Sequence, residues 1–183
     1  MPEDGTAVTE ILHFYEERAD RIAVGGSISL VSIAMFVVFA AALRQAVVES
    51  GGADYLATAA FGGALLAMAA GLGAESINLV AALRAGEGEL TRPLAQSLFE
   101  VSQILGSAAG GVGLGVFGLA IGWASLQSNA LLPRWVGITV AAVGVVLLTP
   151  LAHVNVLSGG AMVLLGLLIG GALLRGAKAR VQG

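Results

Sequence analysis

Between Trp135 and Leu174 the chain carries no aspartate, glutamate, lysine or arginine. Soluble domains place a charged residue at about every fourth position, so a run of this length belongs in lipid rather than on a water-facing surface. It is also too long for one crossing, because about 20 helical residues already span the hydrocarbon core. Two spans are read from it, at about 134–152 and 156–175. The reversal falls at "TPLAHVNVLSGG", where Pro150 disfavours a continuing helix and Gly159–Gly160 loosens the start of the next.

Three more segments follow by the same rule. Residues 22–43 are uncharged between Arg21 and Arg44, and residues 55–74 form a second run that "ESINLVAAL" extends to Arg84. A third runs uncharged from Val101 to about Leu126. Spans are expected at about 22–44, 55–83 and 95–126, five in all. The composition agrees, with 57% hydrophobic residues, 11% charged and a mean hydropathy of +0.90. The runs lack the apolar/polar alternation of a membrane β-barrel. The expected fold is all-α: a polytopic transmembrane helical bundle in which residues 1–183 form a single membrane domain.

Ahead of the first span, Val8, Ile11, Leu12, Tyr15 and Ala19 recur at helical spacing, with acidic residues over much of the opposite face. This pattern predicts a short amphipathic surface helix at 6–20. Residues 1–21 hold Glu3, Asp4, Glu10, Glu16, Glu17 and Asp20 against Arg18 and Arg21, the wrong sign for the basic start of a secretory signal. The first apolar segment is therefore expected to be retained. With the N-terminus outside, the cytoplasmic segments hold Arg44, Arg134, Arg175, Lys178 and Arg180, and the outer ones Arg18, Arg21, Arg84 and Arg92. The positive-inside bias favours that orientation by one residue, and the acid-free tail "RGAKARVQG" points the same way.

"ILHFYEERADRIAVGGSISLVSIAMFVVFAAALR" resembles a pattern in an uncharacterised family of small multi-pass integral membrane proteins of high-GC Gram-positive bacteria. There an "FY…R" surface helix precedes a span ending in F–x–x–x–LR. "LLPRWVGITVAAVGVVLLTPLA" is similar to that family's LPRW loop and the span after it. Such proteins usually have six spans, and this sequence lacks the first. The resemblance implies a bacterial cytoplasmic membrane, with the LPRW loop and the C-terminus in the cytoplasm. It implies no activity.

On a helix over the third span, Gln96, Glu100, Gln103, Ser107, Gly111, Gly115, Gly118 and Gly122 share one face. Gly111/Gly115 and Gly118/Gly122 have the G-x-x-x-G spacing that lets helix backbones approach in lipid, and Gly166/Gly170 repeats it in the fifth span. Packing within the bundle is the favoured use of these glycines. A homo-oligomer through the glycine faces, or a substrate groove, is the alternative.

Glu75 lies nine residues before Arg84 and Glu100 eight after Arg92, so antiparallel spans place both carboxylates about 12–14 Å from the shared loop. Asn78 shares a face with Glu75, and the fourth span brings His153 and Asn155 to the same side. Glu75, Asn78, Glu100, Gln103, His153 and Asn155 are therefore the polar intramembrane candidates. The favoured reading leaves both glutamates as boundary residues in the headgroup zone. The sharper readings are a hydrogen-bonded cluster or a site handling protons or a cation, since a charge in lipid costs about 2.5–3.5 kcal/mol or more.

Other classes are disfavoured. The formal net charge of −3 and the scarcity of basic residues argue against nucleic acid. There is no cysteine, no H-E-x-x-H, no G-x-S-x-G and no Walker lysine, so no catalytic residue and no metal is assigned. "GVGLGVFG" lies inside an apolar helix without the strand a dinucleotide site needs, and His13 with His153 makes a poor haem pair, so no cofactor is expected. Arg134 and Trp135 read as an interfacial anchor. The expected function is that of a non-enzymatic helical-bundle accessory or interaction protein of the lipid bilayer. The alternative is a small transporter or channel with an outer-leaflet polar site at Glu75, Glu100 and His153.

Overall fold

The computed structural model describes residues 8–128, 132–149 and 164–171, and every element among them is helical. Helix α1 spans Val8–Glu49 and α2 Asp54–Gly86. Helix α3, Arg92–Ile104, passes through a π-helical turn at Leu105–Ala109 into α4, Gly110–Ser128, and α5 spans Arg134–Leu147. Residues 164–171 are also helical. Three rods are long and apolar enough to cross a membrane: α1, α2 and the α3–π–α4 unit, while α5 is a shorter apolar helix.

Both described hairpins close with the same device. After α1, Gly51 takes φ +79° while its N–H donates to Val48 O and that of Gly52 to Val47 O. After α2, Gly88 takes φ +72° while its N–H donates to Ala85 O and that of Glu89 to Arg84 O. These are Schellman closures: a left-handed residue reverses the chain and satisfies the last carbonyls, which is why glycine stands at both positions. Thr91 and Pro93 then open α3, with proline where its missing N–H does no harm.

The rods outrun a bilayer. Helix α1 has 42 residues, about 63 Å, against about 30 Å of hydrocarbon. The packing accordingly falls into two layers. The larger joins Leu43 and Val47 of α1, Ala57, Ala60, Ala64 and Met68 of α2, Phe117 and Ile121 of α4, Val136 and Val140 of α5, and Leu165 and Ile169. The smaller joins Ile11 and Tyr15 of α1 to Ala81, Ala85, Leu90, Ala95 and Phe99.

The smaller layer changes the reading of the N-terminal segment. No break separates residues 8–20 from the first span, and Ile11 and Tyr15 are buried against α2 and α3. The amphipathic pattern is real, but its apolar face is covered by protein rather than turned outward. The third span likewise begins as an amphipathic helix, α3, and becomes apolar on all sides only in α4. Its π turn is the local fault at which one pattern gives way to the other. Of the fourth span, the expected end at 150–152 lies outside the described residues, as does all of the fifth except 164–171.

The glycines of α4 serve packing within the chain. A Cβ on Gly122 would stand 2.6 Å from Ala141 N and Gly137 O, one on Gly118 3.2 Å from Val140 O, and one on Gly115 3.0 Å from Gly144 O. The α4–α5 crossing is thus a backbone-to-backbone contact that side chains would wedge apart. Gly113 makes the same approach to Gly63 and Ala67 of α2. Gly111 is buried as well. Gly166 and Gly170 differ, since a Cβ there meets nothing among the described residues.

Candidate functional site

The two layers do not meet flush. Where they join, α1 lies along α2 but scarcely touches α4, and the gap is a cleft of about 550 Å³. Ile28, Ser29, Ser32, Ile33 and Phe36 line it from α1, and Met68, Gly71, Ala74, Glu75 and Asn78 from α2. Ser102, Gln103, Gly106, Gly110 and Leu114 close it from the third rod. Small residues leave this space open: Gly71, Ala74, Gly106 and Gly110 hold positions where larger side chains would fill it.

Glu75 follows Asp54, at the start of α2, by 21 residues, or about 31 Å along the axis. It therefore sits about one hydrocarbon thickness from the ion pair between Arg44 and Asp54 at the far end of the α1–α2 hairpin. The carboxylate faces α1 at Gly26, whose Cβ, were there one, would lie 3.8 Å from Oε2. Its side chain is partly buried. Among the described residues that line the cleft it is the only ionisable one.

The amides flank it in different states. Asn78 is buried, and its Oδ1 accepts a hydrogen bond from the Tyr15 hydroxyl at 2.9 Å. Gln103 has a buried amide nitrogen with no hydrogen-bond partner among the described residues. Leaving such a donor unpaired costs about 1–3 kcal/mol, a local weakness in the packing behind this end of the cleft. Ser102 is buried and donates to Phe99 O at 2.9 Å, and Ser107 of the π turn donates to Gln103 O at 2.6 Å. Both hydroxyls thus satisfy carbonyls around the point where the helix widens.

The polar candidates of the sequence separate here. Glu75, Asn78 and Gln103 come together at the cleft. Glu100 does not: it is exposed and accepts a hydrogen bond from Gln96 at 2.8 Å, one turn away on its own helix. The boundary reading suits Glu100. His153 and Asn155 lie outside the described residues. His13 is exposed and pairs with Glu17 at 3.2 Å, again within one helix. No group of three or more histidine or acidic side chains among the described residues is placed to hold a metal ion. Arg134 and Trp135 are both exposed at the start of α5.

No protein-family model, curated protein or solved structure matches this chain.

Three features of the site were not legible as such. Ser29 and Ser32 line the cleft from a span whose serines look incidental in sequence, although their i, i+3 spacing puts them on one face. Tyr15 reads as part of an apolar stripe, yet its hydroxyl is what holds Asn78. The π turn left only an indirect trace, the change from an amphipathic to a wholly apolar pattern near Ile104.

Proposed function

We propose that the chain is a five-span protein of the bacterial cytoplasmic membrane, with its N-terminus outside and its C-terminus in the cytoplasm. In this reading it works as a small non-enzymatic transporter whose cleft takes up a cation or a proton at Glu75. One observation carries it: a partly buried carboxylate stands in an open cleft about one hydrocarbon thickness from the opposite end of its hairpin, with no basic side chain among the described lining residues. At that distance Glu75 lies where the hydrocarbon gives way to the headgroups, so its carboxylate can exchange a cation with water while the cleft leads on between the rods. Asn78 and Gln103 supply neutral polar neighbours that stabilise charge without cancelling it. Of the six polar candidates of the sequence, the cleft keeps Glu75, Asn78 and Gln103, Glu100 is outside it, and His153 and Asn155 lie outside the described residues.

The test is flux in reconstituted vesicles carrying a pH gradient, with sodium, potassium or an organic ammonium ion as the driven cation. Wild type should dissipate the gradient with at least one of these, Glu75→Gln should lose at least tenfold in rate, and Glu100→Gln should stay within about twofold. Wild-type vesicles indistinguishable from empty ones, or equal rates for wild type and Glu75→Gln, overturn the proposal.

An accessory or interaction bundle is the second reading. It draws on the outward stripe of α1, where Val24, Ile28, Val31, Met35 and Val38 are each more than 60% exposed, and on Gly166 and Gly170, whose faces meet nothing among the described residues. A homo-oligomer would use these surfaces, because Gly115, Gly118 and Gly122 are already occupied by α5.

A further inference from the structure

We infer that the occupant of the cleft is a single-chain amphiphile with an ammonium head: the head sits on the Glu75 carboxylate and the alkyl chain lies along Ile33, Phe36, Met68 and Leu114. This rests on the transport reading and names its substrate class.

Size comes first. A bare inorganic cation needs a few oxygen ligands closing around it, whereas a space of about 550 Å³ falls in the range of organic ligand sites. The distribution of polarity comes second. Glu75, Asn78, Ser102 and Gln103 stand together on neighbouring turns of α2 and α3, whereas Ile33, Phe36, Ala67, Met68 and Leu114 line the part of the cleft towards the centre of the rods. A ligand polar throughout would desolvate against that apolar part, and a ligand apolar throughout would leave the Glu75 carboxylate unmet. A molecule with one polar end satisfies both.

Charge sign is the third constraint. The lining holds a carboxylate and, among the described residues, no arginine, lysine or histidine, so an anionic head would be repelled and a neutral one would leave the carboxylate uncompensated. Access is the fourth. Ile28 on α1 and Gly106 on the π turn are the exposed members of the lining near the head end, with Ser32 exposed about one turn further along α1, so the mouth opens between α1 and the third rod. Ile28 also belongs to the outward apolar stripe of α1. An amphiphile already dissolved in the bilayer reaches such a mouth sideways, with its chain in lipid and its head near the interface.

The experiment is a scintillation-proximity binding assay on the purified full chain in a non-ionic detergent, with radiolabelled dodecyltrimethylammonium as probe. Saturable binding is expected, displaced by unlabelled dodecylammonium and at least tenfold less well by tetramethylammonium, which lacks the chain, or by dodecanol, which lacks the charge. Glu75→Gln should weaken probe binding at least tenfold, and Glu100→Gln should leave it within twofold. Ser32→Phe, which fills the mouth, should abolish it, whereas Val31→Phe on the adjoining outward face should not. Each variant is first checked for a single symmetric species by size exclusion.

Absence of saturable binding to folded wild type overturns the inference, as does equal affinity of wild type and Glu75→Gln, or equal displacement by dodecanol and dodecylammonium. The two proposals fail separately. Glu75-dependent flux of an inorganic cation without amphiphile binding removes the substrate class and leaves the transport reading. Amphiphile binding without any flux does the reverse.

Discussion

The Tyr15 hydroxyl donates to Asn78 Oδ1 at 2.9 Å, joining the start of α1 to the last third of α2 across 63 positions of sequence. Both residues are buried, at 1% and 8% exposure, and this is the polar contact that ties the smaller packing layer to the edge of the cleft. Asn78 could otherwise turn its amide toward Glu75 or the ligand space, so Tyr15 sets the polarity of one wall of the site.

Tyr15→Phe keeps the ring and removes the donor. It should destabilise the protein by about 1–2 kcal/mol, because Asn78 is left with an unmet acceptor away from water. Asn78→Leu alone should cost a similar amount, and the double variant less than the sum of the two. Thermal unfolding in detergent, followed by tryptophan fluorescence in a double-mutant cycle, measures the coupling. Strict additivity would show that the two side chains do not interact.

Gly122→Ala should be among the most disruptive small substitutions in the chain, since its Cβ would meet the backbone of Gly137 and Ala141 at 2.6 Å. A loss of about 1–3 kcal/mol is expected from forcing the α4–α5 contact apart. Gly62→Ala is the control: a Cβ there meets nothing within 4 Å, so better helix propensity should leave stability unchanged or raise it by up to about 1 kcal/mol. Unfolding midpoints that fall equally for both would contradict the assigned crossing.

Gly88→Ala tests the turn into α3. Its φ of +72° is a conformation in which a Cβ crowds the following carbonyl, and the expected loss is about 1–2 kcal/mol, although open space surrounds the position. Gly86→Ala, two residues earlier and equally open, should be tolerated. The comparison separates backbone strain from crowding.

The ion pair between Arg44 and Asp54, 3.1 Å apart, has both side chains substantially exposed. Pairs of this kind contribute about 0–1 kcal/mol and are screened by salt. Asp54→Asn should therefore shift the unfolding midpoint little, and the small shift should shrink further in high salt. A large salt-independent loss would mean that the pair is shielded from water in the bilayer.

The absence of native cysteine allows single-cysteine mapping on an unmodified background. Glu87→Cys and Glu10→Cys should react together with a membrane-impermeant maleimide added to intact cells, and Gln45→Cys only after lysis. Val31→Cys should react in neither case. Labelling of Gln45→Cys in intact cells would invert the proposed orientation. Reaction of Glu10→Cys and Glu87→Cys from opposite sides would break the smaller layer, which needs both segments on one side.

Legibility in the sequence followed the range of the forces involved. Membrane-grade helices at 22–44, 55–83 and 95–126 could be read because the cost of charge in lipid acts residue by residue, and the corresponding rods are present. The glycine spacing of α4 announced a close backbone approach, but spacing alone does not name the partner, and α5 proved to be it. Glu75 and Glu100 looked equivalent because axial depth is all that sequence separation measures. Rotation about the helix axis, and where the neighbours lie, set them apart: Glu75 turns into the gap beside Gly26, while Glu100 turns outward to its own Gln96.

The linear order of residues determined by itself that the chain is built of apolar helices, where charge interrupts them, and that small residues in the third span let a neighbouring backbone approach. These are consequences of local solvation and backbone sterics, which operate over one or two helical turns. Only the tertiary structure decided that α1 is a single 42-residue rod, that Tyr15 serves Asn78, and that α1 and α4 stand apart over Glu75. Those depend on how rods of unequal length settle against one another, and that balance is struck between surfaces distant in sequence.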